Sequence, residues 1–277
     1  MSLIAIIGAG PAGGALAHKL AGRGRIGEVR LIDAEAKVAE GKALDILQSS
    51  PVERFSTRVS ASGSILAAAG ADAIVIADQA AGSAEYAGEA GLALLRQLAG
   101  FERRSPLVCV GAGQRELIAR GVGELHIAPS RIIGSAPFAL ESALRAIAGL
   151  MVDGSGVEVS LRVVGVPPKS AVVAWEEAAA FGQPLASQMP PHQIAALSAR
   201  IPGLWPPGPY ALASAAARVV EAIAAGARRR YSCFVALPGG RVAAMPAELG
   251  SEGVRRVLEP SLTRQERTLL ENALDRA

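Results

Sequence analysis

The sequence predicts an α/β protein in which a doubly wound, parallel sheet is followed by a smaller mixed α/β region. Two observations support this prediction. In the first half of the chain, short apolar runs alternate with segments of helical length and spacing. A GxGxxG glycine motif stands between the first apolar run and the first helical segment. Together these features are typical of a Rossmann dinucleotide-binding domain.

The predicted parallel strands all lie in the first 135 residues. Apolar runs of strand length occur at 2–8, 28–33, 58–63, 72–78, 106–111 and 131–135. Segments with helical spacing lie between them, for example 34–50 and 84–100. Because strands and helices alternate, the helices are expected to be crossovers between parallel strands. We therefore place a dinucleotide-binding domain at residues 1–135.

The pattern changes after a helical segment near residues 139–150. The apolar runs 157–166 and 171–178 are separated only by PPKS, which favours an antiparallel hairpin. Further elements are expected as helices near 190–200 and 211–225 and strands at 231–237 and 241–247. Thr263 and Glu266 have the spacing of a capping box, which predicts the start of a last helix. Residues 136–277 are assigned to a C-terminal substrate domain.

Composition excludes several classes of protein. The chain of 277 residues is 51% hydrophobic and only 4% aromatic, and its net charge of +3 is spread along the sequence, so no nucleic-acid partner is predicted. With Cys109 and Cys233 as the only cysteines, a disulfide framework or a multi-cysteine metal site is excluded, and no metal is predicted. No run of 18 uncharged apolar residues and no leader pattern are present, so we expect a cytoplasmic protein without a membrane partner.

The glycine motif has the features of a diphosphate cradle. Gly8, Gly10 and Gly13 spell GxGxxG, with Pro11 and Ala12 between the second and third glycines. The first glycine allows a tight turn, the second lets the backbone approach a diphosphate, and the third lets helix and strand pack closely. The diphosphate is expected at the helix N-terminus, where free N–H groups and the helix dipole favour an anion.

The nature of the dinucleotide follows from Asp33. This acid ends the second predicted strand, 20 residues after Gly13, where a carboxylate would accept hydrogen bonds from the adenosine ribose. An acid there favours NAD over NADP, so NAD is the predicted cofactor. The spelling GAGPAGG also suits FAD enzymes, but those chains are usually longer, so FAD is disfavoured. The alternative that the glycines serve only the turn stays open.

Residues 31–52 resemble the lactate and malate dehydrogenase family, in which an acid, a helix, GKALDL and a short SP loop follow in this order. Segments similar to the family follow in the same order at 130–145, 163–185 and 245–266. The resemblance implies the family's two-domain fold and an oxidoreductase ancestry. It also implies a homo-oligomer, either a dimer or a tetramer.

In that family a histidine exchanges the hydroxyl proton, an aspartate orients it, and two arginines bind and polarise the substrate. Position by position, the resemblance places Pro167 at the histidine and Leu144 at the arginine that clamps the substrate carboxylate. Glu141 falls on the orienting acid, and the segment matching the closing loop, 79–91, contains no arginine. Without a proton carrier or a cationic clamp, malate and lactate dehydrogenase activity should be negligible.

Replacement catalytic groups are limited. The resemblance puts Glu141 and Lys169 near the vacated substrate pocket, so both are catalytic candidates, with an ordinary ion pair and a solvated hairpin tip as the respective alternatives. Other side chains that could face the cleft are Glu85, Tyr86, Gln114, Arg115 and Tyr210, but a place in a surface loop or in the core is favoured for them. None of the three histidines, His18, His126 and His192, falls on the catalytic position.

Three functions remain open on the sequence alone. The first is an NAD-binding protein that lacks malate and lactate dehydrogenase activity. The second is an NAD-linked oxidoreductase that acts on an unidentified small molecule other than a keto acid. The third is a non-catalytic regulatory or interaction protein.

Overall fold

Six parallel strands form the first part of one 11-stranded sheet in the computed structural model, which describes residues 2–276. Their order in the sheet is β3-β2-β1-β4-β5-β6, the doubly wound order of a Rossmann domain. The predicted fold class is therefore confirmed. The strands are β1 (Leu3–Ile7), β2 (Glu28–Ile32), β3 (Arg58–Ser62), β4 (Ala73–Ile76), β5 (Leu107–Cys109) and β6 (Ile132–Gly134).

The strands could be recognised because helices cover the sheet on both faces. Every residue of β4 is buried, and so are four of the five residues of β1. Strands covered on both faces form continuous apolar runs. The helices are α1 (Pro11–Gly22), α2 (Ala36–Glu53), α3 (Gly88–Phe101), α4 (Arg115–Leu125), α5 (Ala136–Met151), α6 (Pro191–Ala199), α7 (Pro209–Ala224) and α8 (Arg264–Asp275).

The predicted hairpin forms, but it is shorter than its apolar runs. Val159 lies in a separate three-stranded sheet, whereas Val163 lies in the large sheet. Val159, Leu161 and Val163 are all buried, so the alternation of buried residues continues across the change of partner and does not reveal it. The strands concerned are β7 (Val159–Ser160), β8 (Val163–Val166), β9 (Ser170–Val173), β10 (Ala179–Ala180) and β11 (Gln183–Pro184).

The remaining strands extend the large sheet on the far side of β6. They are β12 (Arg230–Ala236), β13 (Val242–Gly250) and β14 (Gly253–Val257). The sequence pattern does not predict β14, because most of its residues are at least partly exposed and two are arginines. The predicted capping box is present at α8, where Thr263 and Glu266 each bond the other's backbone N–H.

The two halves of the chain share this sheet. β12 pairs with β6 through Phe234 and Gly134, and the larger of two apolar cores includes residues from both halves. The division at 135/136 coincides with the start of α5 and stays a prediction. Among the described residues, no helix is long and apolar enough to span a membrane.

Candidate functional site

The glycine turn joins β1 to α1 at the carboxyl end of the parallel strands. Gly8 has a φ of +104°, and a Cβ on it would lie 2.4 Å from the carbonyl oxygen of Asp78. A Cβ on Gly13 would lie 2.0 Å from the carbonyl oxygen of Gly8. A side chain at either position would therefore collide with the backbone of the turn or of the neighbouring strand.

The carboxylate of Asp78 occupies the N-terminus of α1. The N–H of Ala12 donates to its Oδ2 at 3.0 Å, and the N–H of Gly13 donates to its Oδ1 at 2.8 Å. Pro11 has no N–H, so these are the first two donors of the helix. A Cβ on Gly10 would lie 2.5 Å from Asp78 Cγ, so the second glycine gives room to this carboxylate. The sequence had predicted a diphosphate at this position.

Asp33 is buried and binds three backbone N–H groups. Its Oδ2 accepts from Ala9 at 2.7 Å and from Ala80 at 2.9 Å, while Oδ1 accepts from Glu35 at 2.9 Å. An ionised carboxylate offers about four acceptor positions. One therefore remains for a ribose hydroxyl.

A cavity of about 310 Å³ lies beside Asp33 at the predicted adenosine end of the groove. Tyr86 also lines this cavity. Burial, together with the nearby charge of Asp33, raises the pKa of Tyr86 to about 12. The Tyr86 hydroxyl therefore stays protonated at neutral pH and remains able to donate a hydrogen bond.

Lys42 supplies the cation closest to the glycine turn. Its Nζ donates to the carbonyl oxygens of Ala9 at 2.5 Å and Gly10 at 3.2 Å. Lys42 comes from α2, and our sequence analysis did not select it. The only signal was its place in GKALD, within the segment that resembles the dehydrogenase family.

The 79–87 segment, which precedes α3, folds back over the end of the sheet. The N–H of Gln79 donates to the carbonyl of Ala84, and Glu85 reaches the loop after β5. There its Oε1 and Oε2 accept from the N–H groups of Ala112 and Gly113, each at 2.8 Å. Glu85 thereby fixes the segment that resembles the family's closing loop.

Gln114 stabilises the same loop after β5 from the buried side. It is fully buried, and its Oε1 accepts from the N–H of Gly111 at 2.8 Å. Gln114 therefore lies in the core, the alternative that the sequence favoured, whereas Glu85 lies on the cleft side.

A cavity of about 240 Å³ lies between the glycine turn and the proline-rich segment before α7. Among the residues that line it, the only charged side chains are those of Asp78 and Glu85. The full lining is Pro11, Ala12, Ala77, Asp78, Ser83, Glu85, Val110, Gly111, Pro206, Pro207, Pro209 and Leu212. Within the part of the chain that the structure describes, this cavity therefore has acids but no lysine, arginine or histidine in its wall.

Glu141 forms a buried ion pair away from that wall. Its Oε1 lies 3.0 Å from Arg162 Nη1, and its Oε2 accepts from Ser232 Oγ at 2.6 Å. Burial raises the pKa of Glu141, although Arg162 and Ser232 oppose the shift. Leu144, one turn further along α5, is fully buried in the smaller apolar core.

Lys169 is exposed at the tip of the β8–β9 hairpin, next to Pro167 and Pro168. It does not line the cavity. The three histidines are also exposed: His18 lies 3.2 Å from Glu53, His126 ends α4, and His192 lies in the first turn of α6. The structure therefore brings the glycine turn and Asp33 together but leaves Glu141 and Lys169 apart from them.

The structure offers no metal centre within residues 2–276, because no group of three or more His, Cys, Asp or Glu side chains is arranged to hold an ion. The fold and the glycine turn have the features of a Rossmann dinucleotide-binding domain. Residues 2–101 match the family model for the lactate/malate dehydrogenase NAD binding domain.

Full-length relatives extend this match over the whole chain. A malate dehydrogenase of Thermomicrobium roseum is 28% identical over 96% of this chain and 93% of its own length. The L-lactate dehydrogenase A of Rhizopus oryzae is 26% identical over 99% of this chain and 90% of its own. The chain is thus similar to malate and lactate dehydrogenases over nearly its whole length.

Solved structures share the fold at lower sequence identity. The lactate dehydrogenase of Cryptosporidium parvum, solved with lactic acid and nicotinamide adenine dinucleotide, has a TM-score of 0.89 and 20% identity. The malate dehydrogenase of Aeropyrum pernix has a TM-score of 0.89 and 21% identity. Each comparison covers 99% of this chain and 95% of the other.

The match of residues 2–101 to an NAD binding domain supports NAD as the cofactor, and the residues fit it in part. The glycine turn has the close backbone approach of a dinucleotide cradle, and Asp33 lies beside the cavity at its adenosine end. The N–H groups of Ala12 and Gly13, in contrast, already bind Asp78. A diphosphate can reach these donors only if the Asp78 carboxylate moves.

Proposed function

We propose that this chain is an NAD-binding member of the family that does not act as a malate or lactate dehydrogenase. The observation that carries the proposal is the charge of the cavity wall, where Asp78 and Glu85 are the only ionisable side chains. Keto-acid substrates carry a carboxylate, which proteins bind with charge-assisted hydrogen bonds from cations. A wall whose only charged side chains are acids supplies no such cation.

The proton chemistry is missing as well. Pro167, at the position that the resemblance gives to the family's histidine, cannot transfer a proton. Glu141 is committed to Arg162 and Ser232, and Lys169 is in solvent. General acid–base catalysis typically contributes about 10²–10⁴-fold to a rate. Its loss together with the loss of the clamp leaves no route to rapid keto-acid reduction.

The experiment combines calorimetry and an activity assay on the purified chain. Calorimetric titration with NAD and NADH tests cofactor binding. The absorbance of NADH is then followed with pyruvate and with oxaloacetate, beside a competent malate dehydrogenase as the assay control. We expect binding without turnover. Turnover in the usual enzyme range of about 1–10³ s⁻¹ would contradict the proposal.

A second candidate is an NAD-linked oxidoreductase for a cationic or neutral substrate. The acidic wall favours this class over keto acids, because an iminium or ammonium group would be attracted by Asp78 and Glu85. A panel of imines and uncharged carbonyl compounds with NADH separates this candidate from the first.

A non-catalytic regulatory role, homo-oligomerisation and a cytoplasmic location stay predictions.

A further inference from the structure

Asp78 is fixed so that its carboxylate points at the N-terminus of α1. It follows β4, which lies beside β1 in the sheet. Its backbone carbonyl accepts from the N–H of Gly10 at 2.8 Å, while its side chain takes the N–H groups of Ala12 and Gly13. The residue is buried, with 8% of its surface exposed. Main chain and side chain together therefore tie β4 to the glycine turn.

This carboxylate uses the donors that a dinucleotide diphosphate needs. Pro11 lacks an N–H, and the N–H of Gly14 already donates to the carbonyl of Gly10. In the first turn of the helix, only the N–H groups of Ala12 and Gly13 therefore have no backbone carbonyl as acceptor. The Asp78 carboxylate accepts from both of them. A bound diphosphate would lose both donors and would also meet a like charge at hydrogen-bond distance.

The surroundings remain suited to an anion if the carboxylate leaves. Lys42 Nζ lies on the carbonyl oxygens of Ala9 and Gly10, directly beside the same turn. Gly10 has no side chain, and the space in front of it is filled by Asp78 Cγ and Oδ2 and by the carbonyl oxygen of Gln79. Removing the Asp78 side chain would therefore leave two N–H donors, a neighbouring cation and the space that the carboxylate fills.

We propose that Asp78 is an internal competitor for the diphosphate position and sets the affinity of this chain for NAD. The proposal rests on the proposed function, since it takes NAD as the ligand. In the free chain the carboxylate occupies the anion position. NAD binds when this side chain turns away, and the free energy of breaking its two hydrogen bonds is subtracted from the free energy of binding.

The test compares wild type with Asp78→Ala and Asp78→Asn. Asp72→Ala is the matched control, because Asp72 precedes the same strand and accepts one backbone N–H, from Leu3, at the other end of the sheet. Titration calorimetry measures NAD and, separately, inorganic pyrophosphate. We expect Asp78→Ala to bind both about tenfold more tightly than wild type, or better, and Asp72→Ala to match wild type.

Asp78→Asn keeps the shape and one acceptor oxygen but removes the charge, so we expect a smaller gain. Circular dichroism tests whether each variant is folded. If Asp78→Ala does not fold, the binding measurements on Asp78→Asn test the proposal. If neither folded variant binds pyrophosphate more tightly than wild type, the proposal is overturned. If pyrophosphate binds more tightly and NAD does not bind at all, the role of Asp78 stands and the proposed NAD function fails.

Discussion

Glu141 and Arg162 form an ion pair in which the carboxylate is fully buried and the guanidinium is 31% exposed. Ser232 donates a second hydrogen bond to the carboxylate, which completes its partners. In the resemblance Glu141 falls on the acid that orients the catalytic histidine. Here the carboxylate instead connects α5 to β12 and to the residue before β8.

Arg162→Ala should destabilise the protein, because it leaves the buried Glu141 charge without its ionic partner. Losing one partner of a buried pair costs about 3–5 kcal/mol, and we expect the lower end since Arg162 is partly exposed. Urea unfolding measures the change. Arg120→Ala is the control, because Arg120 pairs with the exposed Glu89 and Glu124. Exposed ion pairs contribute little to stability, because water and salt screen them. Equal losses of unfolding free energy in Arg162→Ala and Arg120→Ala would contradict the role of Arg162 as the partner of a buried charge.

The stability of the protein should depend on pH through Glu141. Burial holds its pKa in the folded state above the ordinary value of 4.5. The folded state therefore retains this proton to a higher pH than the unfolded chain, and the contribution of Glu141 to stability falls as pH rises above 4.5. The Glu141→Gln variant has no titratable group at this position, so it lacks this pH-dependent contribution to stability.

Unfolding free energies of wild type and Glu141→Gln should be compared at several pH values from acid to neutral. The difference between them should shift in favour of the variant as pH rises. A difference that stays constant would show that the pKa of Glu141 is not shifted by folding, and one that moves the other way would show that folding lowers it; either result would contradict the prediction.

Asp78→Ala should lower the melting temperature of the free chain, because Asp78 caps α1 in place of a residue on the helix itself. Removing an N-cap side chain costs about 1 kcal/mol. NAD should stabilise the Asp78→Ala variant more than it stabilises wild type, because the variant binds NAD more tightly. At saturating NAD we therefore expect the variant to have the higher melting temperature. Differential scanning calorimetry with and without NAD measures both effects. An Asp78→Ala chain as stable as wild type without ligand would argue against the cap.

Gly13→Ala should be strongly destabilising, since its Cβ would lie 2.0 Å from the carbonyl oxygen of Gly8. Forcing extra atoms into packed structure costs about 1–3 kcal/mol, occasionally more. Gly41→Ala is the matched control: Gly41 is also helical, in α2, and a Cβ there meets nothing within 4 Å. That variant should gain about 0.5–1 kcal/mol from helix propensity. Thermal unfolding of the two variants should therefore give shifts of opposite sign.

The regular elements were predictable because their signals are local. The strands β1 and β4 are apolar throughout, and Thr263 and Glu266 lie only three residues apart. The contacts that define the site are not local. Asp78 is 66 residues from Ala12, and Glu141 is 91 residues from Ser232.

Asp78 nevertheless had a usable signal. It ends a predicted strand, and in doubly wound sheets the carboxyl ends of neighbouring strands face the ligand crevice. The order β1-β4 in the sheet would have placed its carboxylate beside the glycine turn. The pairing of Glu141 with Arg162 had no comparable signal, because the run 157–166 changes sheets without a break in its pattern.

The shared sheet also limits how the cleft can open. Phe234 of β12 packs against Gly134 of β6, where a Cβ would come within 3.0 Å of the phenylalanine. The two halves of the chain therefore cannot swing apart as rigid bodies on a hinge without breaking the sheet. Any change in the shape of the cleft must therefore come from a loop such as the 79–87 segment, which Glu85 holds by two hydrogen bonds.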